Sequence, residues 1–221
     1  MSIKIGHKGE AVTKLQNQLS QLGYSIEADG VFGYTTLQAV RDFQTQKGLK
    51  ADGIVGAGTT AKILLALGTI QIPQTTHFKM ADFIDPADFE ATRNGVPYIY
   101  YENLQTLMAR LEAVQEKLGG QKLIIRSGYR SEKYNRRVGG AARSQHLFAK
   151  AADIYVKDYA LSSCRLAQRI MSDQSLVSLF GGIGLGSVKN VHVDIRAAKS
   201  NGKPTVWWYG NKNWEAWGRA K

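Results

Sequence analysis

Apolar residues recur at helical spacing in three short runs near the start of the chain. Val12, Leu15, Leu19 and Leu22 form the first, which ends at Gly23. Thr36, Leu37, Val40 and Phe43 form the second; Ala61, Leu64, Leu65 and Leu67 form the third, closed by Gly68. Spacings of three and four place each set on one helical face, and glycine just past the last apolar position is a common helix stop. Asp29-Gly-Val-Phe-Gly33, ahead of the second run, is echoed by Asp52-Gly-Ile-Val-Gly56 ahead of the third. This is a short internal repeat built on Asp-Gly turns, and Thr35 and Thr59 after the turns are expected at or near helix N-caps. The pattern predicts a small three-helix bundle over residues 1–68.

The pattern then changes. Residues 69–78 are polar, β-branched and interrupted by Pro73, as a linker would be. Leu104, Leu107, Met108, Leu111 and Val114 make one face of a helix from Tyr101 to Leu118, stopped by Gly119-Gly120. A second helix is expected from about Ser162 to Ser172, with Cys164 a buried, inert thiol inside it. Between and after these lie strand-like runs: Leu123 to Arg126, Ile154 to Val156, and the alternating Val191-His-Val-Asp-Ile195. Residues 79–221 therefore read as an α+β domain, an antiparallel sheet with flanking helices.

The chain holds 29 basic and 18 acidic residues in 221, a net charge of +11. The excess lies mostly in the second domain and would draw it to anionic envelope polymers. No recognition helix, zinc finger or aromatic-basic sheet motif supports specific nucleic-acid binding. A single cysteine excludes an internal disulfide framework, and no apolar run is long enough to span a membrane. A monomer is expected.

Two of the four histidines fall in suggestive contexts, Ser144-Gln-His146 followed by Ala151-Ala-Asp153, and Val191-His192-Val-Asp194. Two imidazoles and a carboxylate are the usual protein ligands of a catalytic zinc, which keeps its fourth position open. Taken alone, the His-Asp spacing is more often that of ordinary polar residues near a sheet; the surroundings single it out. His146 and Asp153 are two helical turns apart, or a strand entry and return. His192 and Asp194 share one face of a strand. Arg130, on a loop after a strand and a Ser-Gly turn, offers a planar fork that matches a carboxylate.

Residues from about 78 to 210 resemble the zinc D-Ala-D-Ala carboxypeptidase family, the hedgehog-like metallopeptidases that cut peptidoglycan stem peptides. The likeness rests on Ser127-Gly-Tyr-Arg130-Ser131, on Ser144, His146, Ala151 and Asp153, on Gly182-Ile-Gly184 leading to His192-Val-Asp194-Ile-Arg196, and on Trp207-Trp208. It implies zinc held by His146, Asp153 and His192. It implies Arg130 orienting the substrate's carboxylate, with Ser144 also on the substrate side. Two features depart from the family pattern. Ala149 stands where glycine is frequent, a mild change unless the backbone there needs positive φ. Gly186 to Asn190 supply neither carboxylate nor imidazole where many relatives carry a general base. Asp194 is then either the base or, the favoured reading, the acceptor that fixes the tautomer of His192.

Residues 4–67 resemble the peptidoglycan-binding repeat domain of cell-wall hydrolases, through Asp29-Gly-x-Phe-Gly33, Phe43-Gln44, Gly48-Leu49 and Asp52-Gly53. Tyr34, Thr35 and Gln44 are the polar groups near its turns expected to touch the wall. The combined expectation is a zinc peptidase acting on bacterial peptidoglycan, a D-Ala-containing bond favoured, with a non-catalytic zinc-containing wall-binding module as the alternative. The chain opens without a basic-then-apolar leader. That favours an endolysin made in the host cytoplasm and released to the wall during lysis. The tail from Trp207 to Lys221, mixing aromatics with bases, is expected partly to pack on the fold and partly to contact envelope.

Overall fold

A computed structural model of the chain describes residues 2–185 and 189–209; most of the aromatic tail and Gly186 to Val188 lie outside them. The chain divides into two units, Met1–Ile72 and Pro73–Lys221. No helix among the described residues is long and apolar enough to cross a membrane.

In the first unit, α1 (Glu10–Gln21), α2 (Tyr34–Gln46) and α3 (Ala57–Ala66) enclose a core of Val12, Leu15, Leu19, Phe32, Val40, Phe43, Val55 and Ile63. The third apolar stripe is re-centred. Ile63 is its buried residue, while Leu64 and Leu65 are only half-buried, because α3 packs on the face that carries Thr59 and Ile63. Thr35 and Thr59 lie near the helix starts, as expected, but are not the caps themselves. α2 and α3 start on Gly33 and Gly56 without side-chain caps.

Thr36 and Thr59 serve a different device, present twice. Gln16 Nε2 donates to Asp29 Oδ1 (2.7 Å), the Val31 carbonyl (3.1 Å) and Thr36 Oγ1 (3.0 Å), and its Oε1 accepts from the Gly30 amide. Gln44 does the same with Asp52, the Ile54 carbonyl, Thr59 and the Gly53 amide. Each buried glutamine thus pins an Asp-Gly turn to the start of the following helix. Gly53 at φ 73° needs the freedom of glycine, and any Cβ there would lie 2.3 Å from Leu37.

Gln44 is consequently not a wall contact. It is 1% exposed and its amide is spent on the turn, whereas Tyr34 is 69% exposed. Gln44→Ala is expected to leave the buried Gly53 amide without its partner and to destabilise the first unit by about 2 kcal/mol. Thermal unfolding of the full chain would show this as an earlier transition of that unit.

In the second unit, α4 (Phe89–Asn94) and α5 (Tyr101–Glu116) precede β1 (Leu123–Ser127). Next come α6 (Glu132–Arg137), β2 (Ala151–Val156), α7 (Ser163–Ser172), α8 (Gln174–Val177), β3 (Gly182–Leu185), β4 (Val191–Asp194) and β5 (Thr205–Trp208). The sheet runs β1-β2-β4-β3-β5. It is antiparallel except for the β3–β5 pair, which is parallel. Leu104, Leu107, Met108 and Leu111 of α5 pack into one core with Ile154, Val191, Val193 and Ile183 of the sheet and Leu166 and Ile170 of α7. Fully burying such a side chain contributes about 1.5–3 kcal/mol, so the sheet is a firm base for what its other face carries. Cys164 is half-buried, and burial raises its thiol pKa.

Candidate metal centre

Strand register assembles the site. Ser127, Asp153, His192, Gly184 and Trp207 are partners in succession across all five strands. Ala151, Asp194, Gly182 and Thr205 form a second row across β2, β4, β3 and β5. Side chains two apart on a strand share a face, so His192 and Asp194 stand side by side. Gly182 and Gly184 leave room for them. A Cβ at Gly182 would lie 2.4 Å from Asp194 Oδ2, and one at Gly184 would lie 3.0 Å from His192 Cβ.

His146 arrives from a 3₁₀ turn, Gln145–Phe148, whose C-cap Ala149 adopts φ 52°, ψ 32°. This left-handed residue turns the chain back into β2, which brings Asp153 to His146. Ala149 therefore occupies a position that does need positive φ. Relief of that strain, roughly 1–2 kcal/mol, is set against loss of a buried methyl, about 0.8 kcal/mol. Ala149→Gly is expected to be neutral or stabilising by up to about 1 kcal/mol, as denaturant unfolding would measure.

The three expected ligands converge. His146 Nε2 and His192 Nδ1 are 3.2 Å apart, and Asp153 Oδ1 lies 2.9 Å from His192 Nδ1 and 3.6 Å from His146 Nε2. Zinc–ligand bonds of about 2.0–2.1 Å in a tetrahedron put neighbouring donor atoms about 3.3 Å apart, so this set fits the metal. The hydrogen bonds behind the ligands agree. His146 Nδ1 faces the Gly128 carbonyl at 2.6 Å; a carbonyl only accepts, so Nδ1 carries the proton and Nε2 points its lone pair inward. His192 Nε2 faces Asp194 Oδ2 at 3.2 Å, which likewise turns the Nδ1 lone pair inward. Two lone pairs and a carboxylate oxygen facing one point suit a cation between them.

The electrostatics express the same demand. Burial holds the His146 pKa below the ordinary histidine value. Burial also lowers that of His192, but the carboxylates of Asp153 and Asp194 outweigh this and the net shift is upward. Burial would raise the Asp153 pKa, yet the two histidines hold it well below the carboxylate range.

Arg130 Nε donates to Ser127 Oγ (2.9 Å) and its Nη2 to Asp153 Oδ2 (2.7 Å). The arginine expected to hold substrate is thus also tied to Asp153, one of the three converging groups. Asp194 is corrected as a general base. It is fully buried, and Arg196 donates to it from Nε (2.7 Å to Oδ1) and Nη2 (2.5 Å to Oδ2). Burial opposes its ionisation, but His192 and Arg196 hold its pKa at about 2. It stands on the Nε2 side of His192, away from the converging donors, so it is placed to hold that imidazole rather than to act at the point where they meet.

A cavity of about 890 Å³ opens over the site. His146, Asp153 and His192 lie in its wall with Arg130, Arg143, Ser144, Asn190, Arg196, Trp207 and Tyr209. Ser144 is where a substrate-side residue should be. Tyr34 belongs to the other unit. The sequence uses Arg196 and Trp207 only as marks of the family likeness and expects the tail from Trp207 to pack on the fold or contact envelope, so it places none of Arg196, Trp207 and Tyr209 in the site. Arg196 lies over the Trp207 ring (4.9 Å), and that ring is 5.1 Å from His192. The signal for Arg196 is its position two residues after Asp194. Of the positions read as lacking a base, Gly186 to Val188 lie outside the described residues.

A family model for Peptidase M15 matches residues 76–194, and one for a putative peptidoglycan binding domain matches residues 8–63. The chain is 31% identical over 166 residues to the zinc D-Ala-D-Ala carboxypeptidase of Streptomyces albus G, covering 74% of this chain and 64% of that protein. It is 38% identical over 86 residues to the spore cortex-lytic enzyme of Halalkalibacterium halodurans, 38% of this chain and 23% of that one. The chain therefore spans less than two thirds of the length of either relative. The structure of a fused Zn-dependent amidase/peptidase/peptidoglycan-binding protein from Clostridium acetobutylicum matches 72% of this chain and 56% of its own, at 23% identity and a TM-score of 0.29.

Proposed function

The chain belongs to the Peptidase M15 family, and on that premise we propose that it is a zinc-dependent peptidase of bacterial peptidoglycan. It hydrolyses an amide bond in the stem peptide or crosslink, with a D-Ala-containing bond favoured. The observation that carries this reading is the convergence of His146 Nε2, Asp153 Oδ1 and His192 Nδ1 at the edge lengths of a zinc tetrahedron, under an open, arginine-rich cavity.

Zinc held there would polarise a carbonyl and lower the pKa of water to about 7. The chain's own residues do the rest. Gly128 and Asp194 fix the two histidine tautomers. Arg130 spends two of its five N–H groups on Ser127 and Asp153, and the remainder serve to anchor a substrate carboxylate. Positioning of this kind makes attack effectively intramolecular. The first unit holds the enzyme to the wall, with Tyr34 among its contacts. As in phage endolysins, the wall is reached when a separate membrane-permeabilising protein releases the enzyme.

Purified sacculi incubated with the full chain should yield peptide fragments, identified by mass spectrometry, that vanish with chelator and return with zinc. Sacculus binding and stoichiometric zinc without fragments would overturn the peptidase and favour a non-catalytic module.

A further inference from the structure

Three arginines line the cavity over the metal centre, and Asp153 is the acid that lines it among the described residues. Two of the arginines already have protein partners. Arg130 is paired with Asp153 and Ser127. Arg196 is paired with Asp194 and lies over the face of Trp207. The third, Arg143, is exposed, and among the described residues its side chain makes no hydrogen bond, ion pair or ring contact.

The loop that carries it is nevertheless fixed. Asn135 is buried, and its Nδ2 donates to the Ala141 carbonyl at 3.0 Å. Its own carbonyl accepts from the Gly140 amide at 2.8 Å, and the Ser144 amide closes a turn onto Ala141 at 3.0 Å. A Cβ at Gly140 would meet Asn135 Oδ1 at 2.1 Å, so the loop is packed tightly against α6. Arg143 is thus an unneutralised guanidinium held on a fixed loop, three residues before the ligand His146.

Resting on the peptidase reading above, we propose that Arg143 is a second carboxylate anchor. It makes the site selective for stem peptides that carry a free internal carboxylate over those in which that group is a carboxamide. A guanidinium fork recognises a carboxylate through paired, charge-assisted hydrogen bonds, and a neutral amide offers neither the charge nor two acceptor oxygens. Arg130 remains for the chain-terminal carboxylate, so two acidic groups of one substrate would have separate partners.

The test uses a synthetic stem pentapeptide ending in D-Ala-D-Ala, with its glutamate and diaminopimelate carboxylates free, and the same peptide with both as carboxamides. Cleavage by the full chain gives kcat and KM. Calorimetric binding of the corresponding product peptides to the metal-free chain gives affinity without turnover.

The wild type should favour the free acid through KM and affinity by about tenfold, the weight of one charge-assisted hydrogen bond at a wet rim. Arg143→Gln should erase that preference with kcat and the carboxamide peptide unaffected, and Arg143→Lys should keep part of it. Equal cleavage and equal binding of both peptides by the wild type would overturn the anchor while leaving the peptidase standing. So would an equal loss on both peptides in Arg143→Gln. A binding preference without cleavage of either peptide would support the anchor and contradict the peptidase.

Discussion

His146→Ala is expected to cost the protein its zinc and about a thousandfold or more in peptide hydrolysis, with the fold retained. The imidazole supplies one of three converging donors, and two ligands no longer define a site that leaves one position open. A bound metal stabilises several kcal/mol of developing charge, and each 1.36 kcal/mol is tenfold in rate, so about three orders of magnitude follow. The side chain lines the cavity wall, and the apolar core that α5 and the sheet form is built from other residues. Circular dichroism should therefore stay close to wild type while metal content by mass spectrometry falls. Retained zinc and activity would exclude His146 as a ligand.

Asp194→Asn is expected to lower zinc affinity by about 10- to 100-fold, the usual weight of the partner behind a metal-bound histidine. The carboxylate receives Arg196 on one side and His192 Nε2 on the other. Asparagine removes the negative charge that raises the basicity of His192, and its amide can present a donor to a nitrogen that also donates. Competitive chelation measures the affinity, and the lost activity should return when zinc is raised. Were Asp194 the general base, zinc affinity would remain at the wild-type value and no amount of zinc would restore turnover. Measuring both quantities therefore separates a positioning role from proton transfer.

The three converging groups were legible through the family likeness of their surroundings, since their spacing alone reads as ordinary polar residues near a sheet. His146 and Asp153 sit in one short run, and the alternation around His192 identifies its strand and its face. The roles of their neighbours depend on what lies across the sheet. Asp194 reads as a base or a positioning acid until Arg196 is seen on it and Gly182 against it. Gln44 reads as a surface polar residue because its amide is polar. Only the folded Asp52-Gly53 turn, which takes up both ends of that amide, makes it interior. The buried face of α3 is similarly hidden, since Leu64 and Leu65 outnumber Ile63 in any periodicity count although Ile63 faces the core. The parallel pairing of β5 with β3 brings Trp207 beside His192, a long-range contact with no local signature. Arg143 belongs to the same class, because its lack of a partner is a property of the assembled cavity.

The most direct test of the account is a zinc titration of the metal-free full chain, with bound metal and peptide release from sacculi followed together. The account predicts that both saturate at about one zinc per chain, the number one set of three ligands with an open fourth position takes up. Peptide release that is complete before zinc is added, or that does not rise as the site fills, would contradict it.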